Sequence, residues 1–237
     1  RRAPLACRHR RGPDPARVPD RAAGGPSFVP WGFVVEHLEA KRPARPAEDV
    51  PRDVQDYYGL SHESLAQVRG DFWRRLREAK PDQNPIRTLL SPGSIQATVE
   101  LYRAVGASAS SPRPLVLLTP PTKATFAARY LASRFARRGV HGAVIVPEKA
   151  LLETHLTPEE VELRLRDTVV AARMALRVLG EMNEVDPGQL HYFGVSAGGI
   201  FGGVLLGVEP AIRRAVLVLP GGDLPRIVTE SDEASVV

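Results

Sequence analysis

Residues 194–199 read Gly194-Val195-Ser196-Ala197-Gly198-Gly199, a serine framed by glycines in the order Gly-x-Ser-x-Gly. Chemistry explains that spacing. A serine hydroxyl that attacks an acyl carbonyl must stand on a tight, strained turn between a strand and a helix, and small flanking residues let the two backbones approach. The N-terminus of the following helix favours negative charge developing beside the serine. The alternative reading of the same six residues is a glycine-rich turn that serves packing alone.

A serine hydroxyl is a poor nucleophile at neutral pH and needs a base, usually histidine, oriented by a carboxylate. The chain has six histidines, and none follows Ser196. His141 and His191 open apolar runs, which places them in structural roles at the sheet edge opposite the serine. His9, His37 and His62 read as solvated side chains. His155 follows a parallel strand and so emerges on the edge of the serine; it reads as a solvent-facing loop histidine, with a substitute base as the alternative. Asp223 follows Gly221-Gly222 beyond the last apolar run, on that same edge, as a turn residue or loop cap with an active-site acid as the alternative. Glu230, Asp232 and Glu233 form a solvated acidic cluster. A lone cysteine, Cys7, can build neither an internal disulfide nor a cysteine-rich metal site, so no metal and no cofactor are expected.

The elements that must position Ser196 flank it on both sides. Residues 115–118, 143–146, 190–193 and 215–219 are short continuous apolar runs, the pattern of strands covered on both faces. Ser196 follows the third run, and residues 200–208 read as a helix of small residues. Between the first two runs a helical segment keeps Phe126, Tyr130, Leu131 and Phe135 on one side. It closes on Arg137-Arg138-Gly139, cations in the last turn before a terminating glycine. The next helix starts at Thr157-Pro158-Glu159-Glu160, with a capping threonine, proline at the first helical position and a glutamate that can reach back. Its stripe is Val161, Leu165, Val169, Ala172, Leu176 and Leu179. Ile95, Ala97, Val99 and Leu101 alternate with Gln96, Thr98, Glu100 and Tyr102, which predicts a half-buried, antiparallel entry strand. From Ser61 onward Leu65, Val68, Phe72 and Leu76 share a helix face. Strands alternating with helices imply an α/β three-layer sandwich, a mostly parallel sheet with helices on both faces.

With 43% apolar and 25% charged residues, the 237-residue chain suits one globular domain. No stretch approaches the roughly 20 consecutive apolar residues of a membrane helix, and the chain reads as soluble. Residues 1–21 carry seven arginines against Asp14 and Asp20, a surplus of five that equals the net charge of the whole chain. The rest is balanced, so a nucleic-acid partner is not expected. Three segments follow: a disordered, basic, Pro/Arg-rich leader over 1–51, a helical N-terminal segment over 52–93, and an α/β core over 94–237. One apolar island in the leader, residues 28–35 with Trp31 and Phe33, is the part suited to docking on the domain. The first residue is Arg1 rather than methionine, which reads as a fragment or a processed chain.

With its motif set between a strand and a helix, the chain over residues 94–223 resembles the α/β-hydrolase superfamily. The resemblance implies Ser196 as nucleophile and the backbone N–H of Ala197 as one oxyanion donor. It puts the second donor in Thr119-Pro120-Pro121-Thr122-Lys123, where the prolines cannot donate and Thr122 or Lys123 remains. This loop departs from the His-Gly-Gly pattern of many esterases. The superfamily order is serine, then acid, then histidine, the last two after later strands, so the core reads as incomplete at Val237. The activity implied is hydrolysis of a small-molecule ester or amide through an acyl-enzyme on Ser196. The rival reading is a truncated domain that binds without turnover, and the 237-residue chain alone is expected to be inactive.

Overall fold

In a computed structural model of the chain, the described residues are 52–80, 83–92, 95–120, 125–148, 156–218 and 220–221. The leader, Cys7, Thr122, Lys123, His155, Asp223 and the acidic cluster at 230–233 lie outside them. The order of elements is α1 (Arg52–Tyr57), α2 (His62–Glu78), β1 (Ile86–Leu90), β2 (Ala97–Tyr102), β3 (Arg113–Thr119), α3 (Thr125–Arg137), β4 (His141–Pro147), α4 (Pro158–Gly180), β5 (Val185–Val195), α5 (Ala197–Val208) and β6 (Ile212–Val218). No helix among the described residues is long and apolar enough to cross a membrane.

The six strands form one sheet in the order β1-β2-β4-β3-β5-β6. β2 runs antiparallel to both β1 and β4, while β3, β4, β5 and β6 are parallel. Alternate residues along the strands feed two clusters. Leu115 and Leu117 of β3 join the larger one with Val68 and Phe72 of α2, the α4 stripe and Phe201 and Leu205 of α5. Leu118 turns the other way, against Ala128, Ala132 and Ala136 of α3. Three layers result: α2, α4 and α5 on one face, the sheet, and α3 on the other.

The long helix α4 follows its sequence signals. Thr157 accepts from the Glu160 N–H at 3.3 Å while Glu160 reaches back to the Thr157 N–H at 2.8 Å, a reciprocal cap. All six residues of its expected stripe are buried. Gly139, past the end of α3, has a φ of +79°, the left-handed value that a terminating glycine supplies.

Three expectations need correction. Within 52–93 the structure has a strand, β1, beside its two helices; Ile86, Thr88 and Leu90 are buried and Arg87 and Leu89 exposed, the period of two in five residues. The stripe expected on α3 holds only in part: Leu131 and Phe135 pack against the core, but Phe126 and Tyr130 are 81% and 54% exposed, and Ala128, Ala132 and Ala136 are the buried residues that face the sheet. The reason is Gly142 on β4, where an ideal Cβ would stand 2.6 Å from the Ala132 Cα, so only a helix face of small residues comes this close. β2 is not half-buried, because α3 also covers its polar side, where Glu100 and Tyr102 are buried.

Glu100 ties α3 to that side of the sheet. It accepts from Arg129 at 2.7 and 2.9 Å and from Arg87 at 2.8 Å. Burial pushes its pKa up, but the hydrogen bonds and charges of Arg129 and Arg87 outweigh burial and hold it below the usual carboxylate range. A folded-state pKa below the unfolded value gives stability that is complete above about pH 4.3 and lost as pH falls through the folded value.

Two outcomes follow for urea unfolding. Ala132→Leu costs about 1–3 kcal/mol by overpacking the contact with Gly142, whereas Phe126→Ser changes stability by about 0.5 kcal/mol or less; the reverse ranking would restore the aromatic stripe. Glu100→Gln costs about 1–3 kcal/mol at pH 7. Its deficit narrows below about pH 4, and a deficit constant from pH 7 to pH 3 would show that the carboxylate charge contributes nothing.

Candidate functional site

β5 ends at Val195 and α5 begins at Ala197, so Ser196 is the whole of the turn between them. Its φ of 53° and ψ of −119° are the values of the first central residue of a type II′ turn, a position dominated by glycine. Among the described residues it is the one non-glycine residue with positive φ. Such a conformation costs about 1–3 kcal/mol and persists where surrounding structure imposes it. The surroundings are on hand: the Ser196 N–H donates to the Val218 carbonyl at 2.9 Å, and the Ser196 carbonyl accepts from Gly199 and Ile200 at 2.7 and 3.1 Å. The side chain is exposed and its hydroxyl does not cap α5.

The flanking glycines are there because nothing larger fits. An ideal Cβ on Gly194 would stand 2.2 Å from the Gly198 carbonyl oxygen, and one on Gly198 would stand 2.2 Å from that of Thr119. Ala197, buried, is the first residue of α5, among the N–H groups that a helix leaves without an intrahelical acceptor. One residue not singled out in the sequence belongs to this setting. Tyr192, buried in β5, donates its hydroxyl to the Gly198 carbonyl at 2.6 Å. A phenol beside His191 in the run 190–193, four residues before the serine, was the signal available for it.

The described histidines stand away from Ser196. His62 is exposed at the first residue of α2. His141 opens β4 and is buried, its Nδ1 accepting from the Ala104 N–H at 3.1 Å and its Nε2 donating to the Glu184 carbonyl at 2.9 Å. Both ring nitrogens are used, and burial pushes its pKa down. His191 lies five residues before Ser196 on the same strand, roughly 16 Å away at the rise of a strand. Burial, then the charges of Arg214 and Arg213, push its pKa down as well. The structure therefore brings Ser196 and Ala197 together, and among the described residues no imidazole joins them. Nor is there, among those residues, a cluster of acidic, histidine or cysteine side chains suited to a metal ion. A cleft of about 310 Å³ opens two strands away from Ser196, lined by Ile95, Ala97 and Pro147 with Arg164, Asp167 and Thr168.

No protein-family model matches the chain, and no curated protein does. Solved structures do. Esterase 2 of Thermogutta terrifontis, phosphonylated by sarin, matches with 16% identity over 62% of this chain and 59% of its own, at a TM-score of 0.46. Est1E from Butyrivibrio proteoclasticus matches with 13% identity over 60% of this chain and 54% of its own, at 0.45. A putative dipeptidyl aminopeptidase IV from Bacteroides ovatus matches with 12% identity over 51% of this chain and 18% of its own, at 0.40. The match thus spans little more than half the length of the two esterases.

The strain at Ser196 predicts an inverted mutational result. Ser196→Gly releases about 1–3 kcal/mol of backbone strain and gives back about 0.5–1 kcal/mol through the freer unfolded chain, for a net gain near 1 kcal/mol. Ser196→Ala keeps a Cβ and gains nothing comparable. Equal urea midpoints for the two variants would show that residue 196 is relaxed in solution.

Proposed function

We propose that the protein is a serine hydrolase of α/β-hydrolase type that acts on a small-molecule ester or amide through an acyl-enzyme on Ser196. The observation that carries this reading is a serine with an exposed side chain, held in a costly positive-φ turn where glycine would be at ease. Strain of this kind, imposed by neighbouring backbone, is a feature of functional sites.

In the reaction, Ser196 Oγ attacks the acyl carbon while a base takes its proton, and the carbonyl oxygen becomes an oxyanion. The Ala197 N–H, at the positive end of α5, is one donor to that oxygen; the loop holding Thr122 is our choice for the second. Collapse expels the alcohol or amine, which receives the proton from the base. Water then attacks the acyl-serine, releases the acid and restores the hydroxyl. No step draws on a cofactor. The superfamily order puts the acid and the base after later strands; within this chain His155, which follows β4 in sequence, and Asp223, which follows β6, are the alternatives for those roles.

A second reading has its own observation. His62, His141 and His191 are all placed where they cannot serve Ser196, which favours a domain that binds without turnover. An activated alkyl fluorophosphonate separates the two, because it phosphonylates a serine that a base has activated. On the first reading, mass spectrometry of the protein extended through the later strands finds the adduct on Ser196, and Ser196→Ala abolishes both the adduct and p-nitrophenyl ester hydrolysis while the protein remains folded. Loss of the adduct in His155→Ala assigns the base. A folded protein extended through the later strands of the superfamily pattern that takes no label rules out the hydrolase reading and leaves the binding domain, whereas the 237-residue chain alone is expected to take none.

A further inference from the structure

Tyr192 precedes Ser196 by four residues, and its side chain belongs to the sheet face covered by α5. It is 1% exposed. The ring lies in a groove that exists because glycines line it: an ideal Cβ on Gly194 would stand 2.8 Å from the ring Cε1, and one on Gly202 would stand 2.4 Å from the same atom. The hydroxyl at the end of the ring meets the Gly198 carbonyl at 2.6 Å, a short bond between buried partners. Burial pushes the phenol pKa above its ordinary value, which favours the protonated, donating hydroxyl.

The first turn of α5 needs such a hold. Glycines stand at 198, 199, 202 and 203, and glycine is the poorest helix former after proline. The serine at the N-cap position makes no side-chain cap. The strained turn and the weak helix share their hydrogen bonds, since Gly199 and Ile200 donate to the Ser196 carbonyl. If the first turn of α5 frays, those bonds are lost and Ser196 is free to leave its positive φ. A rigid phenol anchored in the central sheet and bonded to the Gly198 carbonyl opposes that fraying.

We propose that Tyr192 is the positioning residue of the site, clamping the first turn of α5 through the Gly198 carbonyl so that Ser196 stays in its strained conformation. The clamp is a statement about structure; its kinetic consequence rests on the hydrolase reading above.

A stability cycle tests the clamp without any activity. Ser196→Gly raises the urea midpoint of the wild-type chain, and in a Tyr192→Phe background, which fills the same groove without the hydroxyl, that rise falls to about half or less. Gly202→Ala displaces the ring without altering Tyr192 and gives the same reduction, so either folded background suffices. An undiminished rise in a folded background overturns the proposal. The second readout is kinetic: Tyr192→Phe slows phosphonate labelling of Ser196 at least about tenfold, as displacement of a reacting group does, while the far-UV spectrum is unchanged. Labelling at the wild-type rate also overturns it. An inert Ser196 in the protein extended through the later strands would end the hydrolase reading instead, and the stability cycle would still decide the clamp.

Discussion

The carbonyl oxygens of Thr119 and Gly198 lie where a side chain would otherwise begin. With 2.2 Å between each and the Cβ that Gly198 or Gly194 would carry, and ordinary contact starting near 3.4 Å, the approach of β3, β5 and α5 is a contact of backbone on backbone. Much of the site follows from it. The parallel pairing that sets Thr119 opposite Gly194 and Val195 opposite Val218 brings three strand ends level. α5 must then leave β5 within a single residue, and Ser196 absorbs the whole change of direction.

That arrangement sacrifices helix propensity for proximity. α5 carries five glycines in twelve residues and would not hold as an isolated helix. Tertiary contacts fix it at both ends. Near its start Tyr192 bonds the Gly198 carbonyl, and just past its end the buried Glu209 accepts from Arg173 and Arg177 of α4 at 3.3 and 3.0 Å. Arg173 also donates to the Tyr58 carbonyl, which joins α5 through α4 to the segment between α1 and α2. Burying a carboxylate is costly unless charge partners and hydrogen bonds compensate, and here two arginines and the Ala211 N–H do so.

The two faces of the sheet are closed by different means. α4 presents a wide stripe of large aliphatic residues and fills its side by volume. α3 comes so near β4 at Gly142 that alanines are what fit, and its arginine then reaches Glu100 across the strand. His141, next to Gly142 at the start of β4, does comparable work by linking the Ala104 and Glu184 backbones through its two ring nitrogens.

The sequence alone carried the features whose local pattern is long or strongly marked. The four parallel strands show as continuous apolar runs, α4 shows in its capping residues and six-residue stripe, and the tight turn at Ser196 shows in the glycines set between a strand and a helix. It also placed His141 and His191 away from the serine, because residue order along a parallel strand dictates which edge a side chain occupies. Tertiary structure decided what depends on distance between segments. β1 is five residues long, too short for its alternation to stand out from the helices before it. The centre of the face that α3 buries was set by Gly142, on another element, which admits alanines there and leaves Phe126 and Tyr130 outside. The polar side of β2 became interior because Arg129 and Arg87 were brought to Glu100. Tyr192 reads in sequence as one more buried strand residue, and its bond to Gly198 exists because the fold closes a glycine-lined groove around its ring.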